Sequence, residues 1–167
     1  MLVPERAPDK ISHAGALATL KLNLLAPMLL LKHFTPFLPR RSTALDALDN
    51  VPRAAVVALM SARVGSISDN RLGGWYSYRA SKAGVNQLVK STDIHLGMQS
   101  GEKAMCVGLH PGTVKTGLSE EFWKSTPEEK LFSPEFSAER LCEVVNGLEI
   151  KEGRGRCWDW KGEEVPP

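Results

Sequence analysis

An uninterrupted apolar run at residues 54–60, Ala-Ala-Val-Val-Ala-Leu-Met, constrains the fold more than any other feature of the chain. A run this short, with polar segments on both sides, is typical of a strand buried on both faces inside a parallel sheet that helices cover. A second apolar run at residues 103–109 predicts a second strand, which ends at His110-Pro111-Gly112. Residues 156–161 alternate Trp with charged residues and predict a third strand with one buried face.

Helical patterns separate these strands. Leucine or methionine recurs every three or four positions over residues 11–38, at Leu17, Leu20, Leu24, Met28 and Leu31. This spacing predicts a long helix with one apolar face, kinked at Pro27. Two further helices are predicted over residues 76–96 and 137–148, the latter capped by Ser137. Because helices and strands alternate, we expect an α/β fold in which right-handed crossovers connect about three parallel strands.

The composition argues against several classes of protein. The 167 residues suit one domain, and a net charge of +2 favours neither nucleic acid nor an anionic membrane as a partner. The three cysteines have no CxxC spacing, so we expect reduced thiols and no metal site. The most apolar segment, residues 24–31, is shorter than the ~20 residues that span a bilayer. No signal-peptide pattern precedes it, so a cytoplasmic protein is expected.

The segment Tyr78-Arg79-Ala80-Ser81-Lys82 places a phenol and an ammonium one helical turn apart, on the same face of a predicted helix. A nearby ammonium favours the phenolate, so we expect Lys82 to lower the pKa of Tyr78 from about 10. A tyrosine tuned in this way can exchange a proton with a substrate oxygen near neutral pH. The pair also follows the carboxyl end of the strand at residues 54–60, the edge where ligands of open α/β sheets bind.

Four segments together resemble the short-chain dehydrogenase/reductase superfamily, close to its C-factor-like or Sniffer-like carbonyl reductases. They are Asn23 within Lys-Leu-Asn-Leu-Leu-Ala-Pro, Ser61 to Ile67, Tyr78 to Lys82, and His110 to Thr116. The resemblance covers nearly the whole chain. It implies a partial Rossmann fold, a doubly wound parallel sheet that lacks its N-terminal strands.

The resemblance implies a role for each motif. Tyr78 would donate a proton to a carbonyl, and Lys82 would hold the nicotinamide ribose. Asn23 would hold a water that links Lys82 to solvent. The turn after the second strand would line the nicotinamide pocket, through Pro111, Gly112, Thr113 and Val114. The implied cofactor is NAD(P), with NADP favoured.

The substrate is expected to be a small apolar carbonyl or alcohol, because the segment that would cover the site, residues 113–134, contains Leu118, Phe122 and Trp123. Two assignments leave alternatives open. The family's catalytic serine lies three residues before the loop glycine, a position that is Ala62 here, so either Ser61 or Ser66 would have to orient the carbonyl, with Ser61 preferred. Asn23 is equally well explained as a hydrogen-bonding residue between two helices.

The family binds the dinucleotide pyrophosphate at a glycine-rich turn, TGxxxGxG, and no segment of the 167 residues has that pattern. We therefore expect a single truncated domain over residues 1–167, a carbonyl reductase by lineage that does not hold its cofactor alone. The alternative is a non-catalytic remnant or partial gene product that dimerises through helices 11–38 and 76–96. In either case the strand at residues 54–60 is expected to have an open, apolar edge.

Overall fold

A computed structural model describes residues 2–45 and 54–167. The polar and charged sequence of residues 40–52 predicts a surface loop, which lies partly outside the described residues. The described part of the chain has six strands: β1 (Ala55–Met60), β2 (Ala104–His110), β3 (Thr113–Val114), β4 (Leu131–Phe132), β5 (Cys157–Asp159) and β6 (Glu164–Val165). β1, β2, β5 and β6 form one sheet in that order. β3 and β4 form a separate parallel pair.

The main sheet confirms the predicted α/β class. β1, β2 and β5 are parallel, and they correspond to the three predicted strands. β6, which the sequence pattern does not predict, runs antiparallel to β5. The helices are α1 (His13–Leu20), α2 (Ala26–Phe34), α3 (Tyr76–Gln99), α4 (Pro134–Gly147) and α5 (Ile150–Gly153). α3 agrees with the helix predicted over residues 76–96.

α1 and α2 form one long helix that is interrupted by a π-helical turn at Lys21–Leu25. The sequence predicts a kink at Pro27, and the structure places the irregularity immediately before it. Pro27 has no N–H, and its ring crowds the carbonyl four residues earlier, at Asn23. A π turn at this place loosens the backbone and accommodates the proline.

The apolar face predicted for this long helix is wrong in part. Leu31 is buried and Leu24 packs on the core, as predicted. Leu17 and Met28 are 41% and 43% exposed, whereas Thr19 and Asn23, which lie outside the predicted face, are buried. A π turn contains more than 3.6 residues. Residues chosen at α-helical spacing therefore no longer lie on one face of the helix when they come from both sides of the π turn. The long helix therefore packs on α3 through a narrow, partly polar strip and leaves most of its leucines uncovered.

β1 was expected to be buried on both faces, and this expectation is also wrong. Its residues are partly buried or exposed, because within the described ranges β1 lies at the edge of the sheet and pairs only with β2. β2 is the buried strand at the centre. Val85, Val89 and Leu96 of α3 pack on one face of the sheet, and Leu141 of α4 packs on the other.

α4 begins at Pro134, and Ser133 rather than the predicted Ser137 caps it. The Ser133 hydroxyl accepts a hydrogen bond from the Phe136 N–H at 3.1 Å. Pro134 at the first helical position is the sequence signal for this start. Ser137 is buried, and its hydroxyl donates to the Pro111 carbonyl at 2.9 Å, which ties α4 to the turn after β2.

Candidate active site

The two residues predicted to carry chemistry lie in the first turns of α3, beside the carboxyl end of β1. Tyr78 is 9% exposed, and the Lys82 Nζ lies 5.8 Å from the centre of its ring. The Lys82 Nζ also donates to the carbonyl of Met60, the last residue of β1, at 2.8 Å. The structure therefore brings Tyr78 and Lys82 together at the sheet edge where ligands bind in this fold class.

The expected lowering of the Tyr78 pKa is wrong for this chain. Burial raises the pKa of Tyr78 above its usual value. Burial also lowers the pKa of Lys82, and the opposing Coulombic effect of the Cys157 thiol is smaller. Desolvation disfavours the charged form of both groups. Tyr78 therefore keeps its proton at neutral pH, as a proton donor must.

Asn23 contacts α3 at the same place. It is buried in the π turn, and its side-chain amide donates to the Ser81 Oγ at 3.2 Å. The Ser81 hydroxyl in turn donates to the Tyr78 carbonyl at 2.7 Å. These bonds link the long helix to the turn of α3 that carries Tyr78 and Lys82. The side chain of Asn23 thus makes the helix–helix hydrogen bond that was one of its two predicted roles, and a role in holding water stays a prediction.

The two candidate serines differ in their position. Ser61 lines the cavity beside Tyr78, but it is 3% exposed and its hydroxyl donates to the Asn86 Oδ1 at 2.5 Å. Ser66 is not among the residues that line this cavity, and its hydroxyl donates to the Pro167 carbonyl at 3.3 Å. Ala62 does line the cavity, so a methyl group stands where the family resemblance expects a hydroxyl.

A cavity of about 640 Å³ opens beside Tyr78. All four residues predicted to line a nicotinamide pocket line this cavity: Pro111, Gly112, Thr113 and Val114. Leu118 and Phe122 line it from the segment at residues 113–134, as expected. Trp123 is not among the lining residues, and its indole N–H donates to the Ser119 Oγ at 2.8 Å. Tyr78 and the turn after β2 therefore share one cavity.

The turn at Gly112 is shaped by close packing. Its φ is +76°, and a Cβ at this position would lie 2.6 Å from the ring of Phe132. That ring packs against Trp160 at 4.4 Å and against Phe136 at 5.1 Å between ring centres. The pairing of β3 with β4 then fixes Val114 opposite Phe132 and holds the turn along the cavity wall.

His110 lies at the end of β2, next to the same turn. Burial lowers the pKa of His110 to about 4, and the Arg63 guanidinium adds to this effect. Within the described ranges its buried Nδ1 has no hydrogen-bond partner. His110 is therefore neutral near pH 7, and a group with so low a pKa is a weak base. In those same ranges no three His, Cys, Asp or Glu side chains come together in a way that would hold a metal ion.

Two residues beside Tyr78 are not found by the sequence reasoning. Trp75 precedes α3 with a φ of 52°, the one positive φ of a non-glycine residue in the described ranges, and its ring lies 6.2 Å from the Tyr78 ring and 5.1 Å from the Phe122 ring. Glu5 is 2% exposed, and its carboxylate accepts two hydrogen bonds from Ser77. Glu5 lies in a polar segment whose sequence gives no sign of a helix-capping residue. The two glycines before Trp75 are a weak sequence signal for the turn in which Trp75 lies.

Comparison with known proteins defines the class. No family model matches the chain. The C-signal protein of Myxococcus xanthus is 37% identical over 110 residues, which are 66% of this chain and 60% of that protein. The carbonyl reductase Sniffer of D. melanogaster matches the whole chain with a TM-score of 0.80 and 26% identity, over 63% of that chain. Together with the Tyr78–Lys82 pair at the sheet edge, these findings show a chain with the fold of the short-chain dehydrogenase/reductase superfamily and with similarity to its members in sequence.

Within the superfamily the chain is similar to carbonyl reductases. Besides Sniffer, the NADPH-bound carbonyl reductase from chicken fatty liver has the same fold, with a TM-score of 0.76 and 24% identity over the whole of this chain and 63% of that one. The chain thus spans about 60% of the length of each of these three proteins.

The apolar stretch of the long helix extends well beyond residues 24–31. By length and composition, the stretch His13–Phe37 is long enough and apolar enough to cross a membrane, and it is the one such helix in the described ranges. Only 11% of its most apolar window is buried. Sniffer matches the whole chain, this helix included.

Proposed function

We propose that the 167 residues form one domain of an NAD(P)-dependent carbonyl reductase in which Tyr78 is the proton donor. One observation carries the proposal. Tyr78 and the turn from Pro111 to Val114 come from distant parts of the sequence, yet they line the same cavity at the carboxyl ends of β1 and β2. This is where a fold of this class binds its ligands.

Reduction of a carbonyl adds a proton to its oxygen, and Tyr78 supplies that proton. Burial keeps the Oη protonated until a substrate oxygen reaches it. Lys82 follows one helical turn later, and its ammonium near the ring stabilises the phenolate that proton transfer leaves behind. The Met60 carbonyl holds the Lys82 Nζ in this position.

The described residues fit a nicotinamide ring along one wall of the cavity. Gly112 leaves the turn without a side chain, and Thr113 and Val114 continue the wall beside it. When bound, NAD(P) supplies the hydride for the carbonyl carbon. The 167 residues contain no TGxxxGxG turn, so we propose that other residues, in the same polypeptide or a partner, hold the pyrophosphate. The NADPH-bound chicken reductase supports NADP as the favoured form.

A small apolar carbonyl or alcohol is the proposed substrate. The cavity is lined by apolar side chains on several sides, including Leu2, Trp75, Leu118, Phe122 and Leu141. We propose that Ser61 orients the carbonyl by exchanging its bond to Asn86 for one to the substrate. If Ser61 does not make that exchange, the loss of one such donor lowers the rate by about 10²–10³.

The proposal is tested on the full polypeptide that the gene encodes, so that a glycine-rich turn anywhere in it is included. The loss of NADPH absorbance is followed with a series of apolar aldehydes and ketones. Tyr78→Phe should lower kcat by about 10²–10⁴. Tyr76→Phe is the matched control, because Tyr76 lies in the same turn but is 38% exposed. Equal turnover in the two variants would remove Tyr78 from the mechanism.

Cofactor binding is tested separately on the 167-residue chain alone. Because the pyrophosphate site is proposed to lie outside these residues, titration with NADPH should give no saturable change in the fluorescence of the chain. Saturable binding at micromolar NADPH would contradict this part of the proposal and would move the pyrophosphate site into the 167 residues.

A second candidate function is that of a non-catalytic partner, and the uncovered face of the long helix favours it. Ten large apolar residues of this segment are exposed: Ile11, Leu17, Leu20, Leu22, Leu25, Met28, Leu29, Leu30, Phe34 and Phe37. We propose that this face, together with α3, packs against a second copy, because an exposed apolar patch of this extent marks an interaction surface. The protein is proposed to be cytoplasmic, with this face in a protein interface rather than in a membrane.

The interface is tested by sedimentation of the wild type and of a Leu22→Lys, Leu30→Lys double variant, whose positions are 57% and 56% exposed. The wild type should sediment as a dimer and the variant as a monomer. A wild type that is monomeric without detergent, or that requires lipid vesicles for solubility, would contradict the proposed interface. A dimer whose full polypeptide lacks all turnover would favour the non-catalytic candidate.

A further inference from the structure

Glu5 caps α3 from outside the helix. Trp75, the residue before the helix, makes no side-chain cap. The Glu5 Oε2 accepts a hydrogen bond from the Ser77 N–H at 2.6 Å, and the Glu5 Oε1 accepts one from the Ser77 hydroxyl, also at 2.6 Å. The Ser77 N–H is one of the first four in the helix, which have no partner within it. A carboxylate at this place also faces the positive end of the helix dipole.

The backbone of Glu5 holds the residue before the helix. Its carbonyl accepts a hydrogen bond from the Trp75 N–H at 2.7 Å. Trp75 has a φ of 52° and a ψ of 44°, a left-handed conformation that is unfavourable for a residue with a bulky side chain. Such a conformation persists only when its surroundings determine it. The two residues before Trp75 are also held, because the Arg79 Nε donates to the carbonyls of Gly73 and Gly74 at 3.2 and 3.0 Å.

These contacts surround Tyr78. Ser77 immediately precedes it, and the Trp75 ring lies edge-on to its ring at 6.2 Å. Glu5 therefore binds both the residue before Tyr78 and the residue whose ring packs against it. Glu5 is not among the residues that line the cavity, although Leu2 of the same segment is.

We infer that Glu5 is a positioning residue, which fixes the first turn of α3 and thereby the place of the Tyr78 hydroxyl in the cavity. The inference rests on the proposed function in so far as Tyr78 is the proton donor. α3 extends over 24 residues and packs on the sheet through its later turns, so loss of the cap disturbs its first turn and leaves the rest of the helix in place.

The test uses the chain labelled with ¹³C at the tyrosine ζ carbon. The chain has two tyrosines, so two resonances are expected, and Tyr76→Phe assigns the one from Tyr78. Glu5→Ala should shift and broaden the Tyr78 resonance. Glu5→Gln, which keeps one acceptor oxygen, should give an intermediate shift. Glu102→Ala is the control, because Glu102 is exposed, and the indole ¹⁵N signal of Trp158 reports whether distant structure is intact.

The outcomes separate positioning from simple stabilisation. If the Tyr78 resonance of folded Glu5→Ala has the same chemical shift and line width as in the wild type, the inference is overturned, even if the variant unfolds at a lower temperature. If Glu5→Ala does not fold, the Glu5→Gln variant decides in the same way. In the full polypeptide, Glu5→Gln should lower kcat by about tenfold or more and leave KM within about twofold, because a misplaced acid affects the reaction rather than binding. The Tyr78 resonance is measured without any catalytic turnover. Failure of the proposed function and failure of this inference can therefore be distinguished.

Discussion

Replacing Gly65 by Ala should destabilise the fold where the loop after β1 meets α3. Gly65 is buried, and a Cβ built on it would lie 2.7 Å from the carbonyl carbon of Lys82, 2.8 Å from its Cβ and 2.9 Å from its carbonyl oxygen. Ordinary contacts of a Cβ atom begin at 3.4 Å. The loop and the helix must therefore separate by several tenths of an ångström. Two of the three atoms belong to the helix backbone, so no change of rotamer relieves the clash.

The size of the effect follows from this geometry. Overpacking a well-filled site costs about 1–3 kcal/mol, and the upper half of that range is expected because backbone has to move. For a chain of this length each kcal/mol lowers the melting temperature by about 2–4 °C, so a decrease of roughly 4–12 °C is expected. Lys82 moves with the helix, so its bond to the Met60 carbonyl should also weaken.

Urea denaturation followed by tryptophan fluorescence measures the free energy of unfolding of the variant and the wild type. Gly117→Ala is the matched control, because no atom lies within 4 Å of a Cβ at that position. The control should stay within about 0.5 kcal/mol of the wild type. If Gly65→Ala is as stable as Gly117→Ala, the close approach of the loop to Lys82 is not present in solution, and the reasoning fails.

Two further predictions concern buried titratable groups. The folded-state pKa of His110, about 4, lies below its ordinary value of 6.5, so the unfolded chain binds the additional proton between these pH values. Stability should therefore fall as the pH drops from about 6.5 to 4, by up to about 3 kcal/mol, and His110→Gln should reduce this slope in urea denaturation. An unchanged slope would refute the burial of the imidazole. The second prediction concerns the three thiols. Burial raises the pKa of the Cys106 and Cys157 thiols to about 12 and about 11, whereas the Cys142 side chain is exposed to solvent. A disulfide reagent should modify one thiol rapidly in the native chain and the other two after denaturation, and rapid modification of all three would contradict the structure.

The features that the sequence predicts well are those set by local pattern. The three parallel strands are apolar or alternating runs, and α3 has helical periodicity over its whole length, so both were predictable. The Tyr78–Lys82 spacing likewise identifies two side chains that lie close together, and Tyr78 shares one cavity with the Pro111–Gly112 turn.

The features that the sequence predicts poorly depend on tertiary contacts. The buried face of the long helix is shifted by a π turn, which no periodic count anticipates. The pKa of Tyr78 is set by burial, whereas the spacing to Lys82 suggested a shift in the opposite direction. Glu5 reaches α3 across most of the first half of the chain, and nothing in its local sequence indicates a cap.

The parallel pairing of β1 with β2 has a consequence for synthesis of the chain. β1 pairs along its whole length with a strand that follows all of α3, so no short hairpin can form first. A loop of roughly 50 residues must close before β1 gains this partner. At the usual speed of a ribosome, that segment takes roughly 3–10 s to emerge. During this time β1 lacks the partner strand that it has in the described residues, so the yield of folded protein should depend on the rate of translation as well as on the stability of the folded chain.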